Sequence, residues 1–309
     1  MAKKLKIADW LVHGGHQYEF FKTGHDFFCS KINGNAPSPR DFGRPRNENV
    51  NYVKEERLTR GRYDIIMVRT GIKPHRYKPV RYKKRPSVGI AVMQTHTPFS
   101  VPSWVKCIVW NSKDVMVKYM QTFRGKKHFY IPHGFDPDEF QNFYVERNDR
   151  VLSAVSLFER RRNLLGFDEW KWVSDKLGNC DLLGHGNDDL KESIGSFPLV
   201  KLVRTYNKYG VFLNTTTKSA MPRTRAEALM CGSPLITTNN FGIDKYLVHG
   251  KSCLFANTKE DMARQVKRVL SSKSMQEDLG EAGREAAIKY FNIKKYIERW
   301  NQVFKEALR

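Results

Sequence analysis

Between Val211 and Phe255 the chain reads VFLNTTTKSAMPRTRAEALMCGSPLITTNNFGIDKYLVHGKSCLF. The order of residue types is strand, loop, helix, tight turn, strand. Pro222 suits the first turn of a helix, where a missing N–H loses no bond. The N–H groups from Arg223 through Thr224 to Ala226 would then lack intrahelical acceptors and form a site for a diphosphate. Arg223 and Arg225 would add charge-assisted bonds to its oxygens. Glu227 lies one turn further in, where a carboxylate accepts both hydroxyls of a ribose. A second chemical stretch, residues 73–86, reads KPHRYKPVRYKKRP, with seven Lys and Arg and no acid. Its prolines prevent a regular helix. Such a segment tracks phosphates while its rings stack on bases. Arg76, Tyr77, Arg81, Tyr82, Lys83, Lys84 and Arg85 are therefore candidate contacts to a polyanion.

The elements that would position these groups alternate between short apolar runs and helical patterns, the signature of a parallel α/β protein. In the first half, strands are expected near Leu5–Trp10, Asp26–Cys29, Tyr63–Arg69, Val88–Met93, Lys106–Trp110 and His128–Ile131. Helices are expected near His16–Thr23 and Lys113–Phe123. Residues 31–60 are polar and read as a long excursion without elements of its own. Residues 132–150 carry turn residues and charges, so the predicted linker is 136–150, after a first domain over 1–135. A second domain over 151–290 follows. Its strands are expected at Val151–Val155, Asp181–Leu183, Val211–Asn214, Pro234–Thr237 and Ser252–Phe255. Its helices are expected at Leu164–Lys176, Leu199–Lys208, Arg223–Cys231, Lys259–Ser271 and Ser274–Tyr290. A last helix, Ile293–Leu308, falls in a closing segment 291–309. Two such sheets place ligands outside the carboxyl ends of their strands.

The 309 residues suffice for two ordinary domains, and 40% hydrophobic content supports a core. No apolar run approaches the ~18 residues that span a bilayer. The start MAKKLKIADWLVHGG has an apolar stretch only from Ile7 to Val12, broken by Asp9, and reads as a first strand rather than a signal peptide. A soluble, cytoplasmic protein is expected, in the host cytoplasm if it is viral. Five dispersed cysteines without a C-x-x-C pair argue against a disulfide framework and a structural zinc site. The net charge is +22, of which residues 1–150 supply +14. Charge of that size speaks of partners: nucleic acid, an acidic polymer, or an anionic membrane held peripherally.

The segment Glu227-Ala228-Leu229-Met230-Cys231-Gly232-Ser233-Pro234-Leu235-Ile236-Thr237 resembles the donor-binding core of group 1 glycosyltransferases. In that family E-x7-E is followed by A-x-A-C-G-x-P-V-I-x-T. Gly242, Val248-His249-Gly250 and Cys253-Leu254-Phe255 resemble its downstream glycine and strand. The resemblance covers about 5–30, 86–140 and 150–305. It implies the retaining GT-B fold: two Rossmann-like domains facing across a cleft, with the C-terminal helix crossing back onto the first. Ser219 stands where the family has its first Glu, which touches the donor sugar. Val151–Asn163 resembles the strand whose basic residues hold the donor phosphates. Ser156 replaces the first of these, and Arg161 or Arg162 takes the place of the lysine. The resemblance gives Gly14 and Gly15 the family's first loop, where glycine lets backbone approach a ligand closely. It gives His96, after the strand ending at Met93, a polarising role at the reacting sugar. Ile131-Pro132-His133-Gly134-Phe135-Asp136 resembles the family's linker.

The leading expectation is transfer of a hexosyl group from a nucleotide sugar, UDP- or GDP-linked, with retention and with no metal or other cofactor. A polyanionic acceptor fits the 73–86 segment, with modified DNA slightly favoured. A cell-envelope polysaccharide or lipid acceptor is the alternative. So is a nucleic-acid-binding protein on a degenerate transferase scaffold, and, more remotely, a nucleotide-sugar epimerase. Neutralising residues 73–86 should remove most of the salt dependence of duplex-DNA binding, as measured by affinity against salt concentration. An unchanged slope would detach that segment from nucleic acid.

Overall fold

The computed structural model describes residues 3–32, 43–72 and 87–309. Two compact units form. One joins Met1–Gly134 to Ile293–Arg309, and the other is Phe135–Asn292.

Among the described residues the first unit is built on seven parallel strands: β1 (Lys6–Trp10), β2 (Asp26–Ser30), β3 (Val50–Tyr52), β4 (Ile65–Arg69), β5 (Val88–Met93), β6 (Val105–Trp110) and β7 (Lys127–Tyr130). Their order is β3-β2-β1-β4-β5-β6-β7, so the direction of winding reverses between β1 and β4. Ile65 to Arg69 are all buried because both sheet faces are covered, as parallel sheets require. Alternate residues divide between the faces. Ile7, Phe27, Ile65, Met67, Ile90, Val92 and Val109 share one core with helix α1 (Gly14–Phe21) and the last helix of the chain.

That last helix, Ile293–Leu308, buries Ile293, Tyr296, Trp300, Val303, Phe304 and Ala307, one stripe at helical spacing. Trp300 meets Phe20 at 4.6 Å between ring centroids. Gly134 lets the helix come close, since a Cβ there would lie 2.4 Å from that of Tyr296. The crossing-back helix is thus an integral part of the first core.

The stretch 31–60 differs from its polar reading. Within its described part lie β3 and a helix α2 (Glu55–Arg60). β3 is three residues long, and pairing with β2 (Phe27 opposite Val50) defines it rather than any apolar run. Helix α2 buries only Leu58. Its acids stand in the first turn and its bases in the last, complementing the helix dipole. One further helix, α3 (Lys113–Tyr119), is capped by Ser112.

The second unit has five parallel strands: β8 (Asn148–Ala154), β9 (Cys180–Leu183), β10 (Tyr209–Asn214), β11 (Leu235–Thr237) and β12 (Leu254–Phe255). Their order β12-β11-β10-β8-β9 reverses between β8 and β10. The helices are α4 (Arg162–Leu165), α5 (Phe167–Leu177), α6 (Leu199–Lys208), α7 (Arg223–Met230), α8 (Lys259–Leu270) and α9 (Lys273–Tyr290), and the last helix above is α10. The single helix expected over 164–176 is two, broken at Gly166. There φ is +70°, and a Cβ would lie 2.1 Å from the carbonyl oxygen of Thr215. Phe158, Phe167, Trp170, Val211, Leu213, Ile236 and Val266 form the core on one face.

All five cysteines are buried and free. Burial pushes the Cys180 and Cys253 thiols up to about 12 and raises those of Cys29, Cys107 and Cys231. In native protein at pH 8 a thiol reagent should therefore titrate none of the five within minutes, and all five after unfolding. A fast-reacting native thiol would contradict this packing.

Candidate functional site

In the second unit the winding reverses between β8 and β10, so a ligand belongs at their carboxyl ends. The β8 exit is tightly built. Leu157 adopts φ +53°, a left-handed conformation that costs a branched residue about 1–2 kcal/mol. Its N–H donates to the His185 carbonyl at 2.9 Å. Asn187 holds both loops. Its amide donates to the carbonyls of Val155 (2.7 Å) and Gly184 (3.0 Å), and its oxygen accepts from the Phe158 N–H at 2.9 Å. A Cβ on Gly184 would lie 2.2 Å from the Val155 carbonyl oxygen.

This exit carries the basic triplet, and the structure separates its members. Arg162 pairs with Asp168 at 2.5 Å and lies over the Phe167 ring. Arg161 is exposed, and among the described residues its guanidinium has no protein acceptor. The β10 exit is tied to the same place. Thr215 donates its hydroxyl to the carbonyl of Gly166 at 2.8 Å, and the Lys218 N–H donates to that of Leu164 at 2.8 Å. Half-buried Ser219 lies in this loop.

The loop ends at Pro222, which occupies the cap position of α7, one residue before the first turn. No side chain caps the helix. The N–H of half-buried Thr224, in this first turn, therefore lacks the usual side-chain cap. Arg223 and Glu227, one turn apart, share a face. The Arg223 guanidinium lies 3.2 Å from one Glu227 oxygen and packs over the Phe135 ring. The other Glu227 oxygen accepts from the Tyr206 hydroxyl at 3.1 Å. Glu227 is only 3% exposed.

Arg225 has a different place from the one expected of it. Two residues on from Arg223, it projects to the opposite side of α7. It is 2% exposed. Its guanidinium donates to Asn214 Oδ1 (2.9 Å), Asn240 Oδ1 (2.9 Å), Thr238 Oγ1 (2.9 Å) and the Thr216 carbonyl (3.3 Å). All four acceptors are neutral, and burial pushes its pKa down to about 9, leaving it charged at neutral pH. It fastens the exits of β10 and β11 instead of reaching a phosphate. Asn240 completes the knot, donating to the Thr216 carbonyl at 2.6 Å.

In the first unit, Gly14 and Gly15 open α1 behind the N-cap His13, whose ring accepts from the His16 N–H. At the reversal between β1 and β4 lies a buried ion pair. Arg69 holds Asp9 through two bonds of 2.6 and 2.7 Å. Gln17 donates to Asp9 at 2.9 Å and accepts from the Val12 and His13 N–H groups, fixing the glycine loop from beneath. His96 stands three residues past β5, half-buried in a bend. The candidate polyanion contacts Arg76, Tyr77, Arg81, Tyr82, Lys83, Lys84 and Arg85 lie outside the described residues. Among the described residues no cluster of three or more His, Cys, Asp or Glu could hold a metal, and no helix is long and apolar enough to cross a membrane.

Tyr206, Asn187, Asn214, Asn240, Asp9 and Arg69 escaped the sequence reading. Only Asp9 and Arg69 left a signal there, as charges inside otherwise apolar strands.

Residues 153–302 match the family model described as "Glycosyl transferase-like". The chain has the GT-B fold. A glycosyltransferase from Rickettsia africae superposes with TM-score 0.70 at 14% identity, over 99% of each chain. Sucrose-phosphate synthase from Thermosynechococcus elongatus gives 0.70 at 13% identity, over 98% of this chain and 99% of that one. Anabaena HepE, in complex with UDP and glucose, gives 0.70 at 11% identity, over 97% and 98%. No curated protein matches the sequence. The match over residues 153–302 and the fold agree with the glycosyltransferase expectation.

Replacing Arg225 by Met strips four buried acceptors of their donor. It should cost about 3 kcal/mol or more in denaturant unfolding. Arg225→Lys should recover little, because an ammonium cannot span the four acceptors. Near-native stability in both variants would refute the knot.

Proposed function

We propose that this chain transfers a hexosyl group from a nucleoside-diphosphate sugar, UDP- or GDP-linked, to a polyanionic acceptor with retention at the anomeric carbon, and that it does so without a metal. The observation that carries the reading is the uncapped start of α7 together with the acceptor-free Arg161 on the neighbouring exit. Both stand at the carboxyl ends of β8 and β10. An anion with several oxygens satisfies both.

In this reading the bond between the anomeric carbon and the diphosphate breaks with its electron pair leaving on a phosphate oxygen, an acceptor hydroxyl oxygen bonds to the anomeric carbon on the same face, and its proton passes to the departing phosphate. Arg161 and the N–H groups at the start of α7 neutralise that charge as it develops. Glu227, oriented by Tyr206 and Arg223, accepts the ribose hydroxyls. His96 hydrogen-bonds the transferred sugar and polarises it. Gly14 and Gly15 let the backbone come near it. Retention and independence from metal rest on the resemblance to group 1 enzymes. HepE bound to UDP and glucose supports a UDP-sugar first. Ser219 is too short to replace a glutamate at the sugar, so the sugar's contacts there differ from the family's.

The acceptor follows from charge. The net +22 and the seven bases in 73–86 favour a polyanion, with modified DNA ahead of an acidic envelope polymer.

A thermal-shift panel of UDP-, GDP-, ADP- and dTDP-sugars tests the donor. One of them should raise the Tm progressively with concentration. Arg161→Ala should weaken that ligand by roughly 10-fold or more, Glu227→Ala should abolish its binding, and Arg162→Ala should leave it nearly unchanged. If no nucleotide sugar binds or is hydrolysed, the proposal is wrong. In the enzyme reading Glu227→Ala leaves DNA affinity unchanged; if DNA binds and no nucleotide sugar does, a binding protein on a degenerate scaffold replaces it.

A further inference from the structure

The strap leading into β8 presents three consecutive apolar side chains to water. Phe143 is 42% exposed, Tyr144 84% and Val145 47%. Such a run is unfavourable on a soluble surface unless something covers it. The strap is also held rigidly. The Phe143 N–H donates to Asn207 Oδ1 at 2.7 Å, and the Asn207 amide donates back to the Gln141 carbonyl at 2.9 Å. Arg147 donates to the carbonyls of Tyr206, Asn207, Tyr209, Cys231 and Gly232, all within 3.3 Å. Between these anchors Tyr144 is kept at φ +52°, a strained conformation that carries its ring outward.

Beside the strap, α6 turns a stripe to solvent. It consists of Val200, 65% exposed, with Lys201, Arg204 and Lys208 at helical spacing. Arg204 and Lys208 join Phe143, Val145 and Asn207 around a shallow, mainly apolar hollow of about 380 Å³. The nearby acid Glu146 is bound to Lys273 at 2.6 Å, and Asp149 follows on β8. Apolar tips ringed by cations are what an anionic lipid interface selects. The tips enter the acyl boundary, a tyrosine sits at headgroup level, and the cations meet phosphate and carboxylate groups.

We propose that this strap-and-helix face of the second unit docks the chain on anionic membranes. The proposal does not depend on the sugar-transfer reading.

Because the five native thiols are buried, a Tyr144→Cys variant can be labelled there with an environment-sensitive fluorophore. Vesicles of phosphatidylcholine containing phosphatidylserine should shift its emission to the blue, and phosphatidylcholine alone should not. The shift should weaken with salt. Phe143→Ser with Val145→Ser leaves the charge unchanged and should lower vesicle affinity about tenfold or more in sedimentation. Removing Lys201, Arg204 or Lys208 should cost roughly fivefold each. A label that still reports water while the protein sediments with anionic vesicles overturns the proposal, since binding then runs through another basic surface. So does an emission shift that grows with protein concentration in the absence of lipid, which would assign the face to a second copy.

Discussion

A buried positive charge without a counter-charge holds the β10 and β11 exits together. Arg225 sits among an amide oxygen of Asn214, another of Asn240, a hydroxyl and a carbonyl. A guanidinium in so dry a place is tolerated only when its donors are used, and the rigid fork uses them on two strand exits at once. The loop from Asn214 to Pro222 is thereby pulled toward β11. At its other side Thr215 and Lys218 fasten it to the Gly166 junction. Where α7 begins is set by these two ties. The orientation of its N–H groups, and of Glu227 one turn later, follows.

The first unit solves the equivalent problem with opposite charges. Asp9 and Arg69 cross the reversal between β1 and β4 as a fully buried pair. Gln17 extends the pair to the glycine loop. Isolated, a buried ion pair is weak evidence of stability. Here its geometric effect matters more: it fixes the backbone just ahead of Gly14 and Gly15. Both sheets thus place an arginine near the reversal of winding, one with an acid and one without.

The sequence made the sheets legible because strands buried on both faces are nearly continuous apolar runs. The segments at Val88–Met93 and Arg223–Cys231 coincide with β5 and α7 to within one residue. β3 was not legible, since three residues of mixed polarity become a strand only beside β2. The break at Gly166 was hidden because the apolar spacing runs through it, and the reason for it lies fifty residues away at Thr215. In the site, residue types announced charge but not direction. Helical geometry did contain the direction of Arg225, since residues two apart cannot share a face with Arg223 and Glu227. The separation of Arg161 from Arg162 depended on Asp168, a neighbour whose reach no pattern gives.

Helix α10 has a consequence for synthesis. The first unit draws part of its core from residues 293–309, translated after the whole second unit, so its hydrophobic face over Phe20, Phe27 and Ile90 stays uncovered while the ribosome makes everything between. The second unit, continuous in the chain, completes its sheet earlier. The order of maturation therefore inverts the order of translation, and the nascent first unit carries an open apolar surface, attractive to chaperones, until α10 emerges.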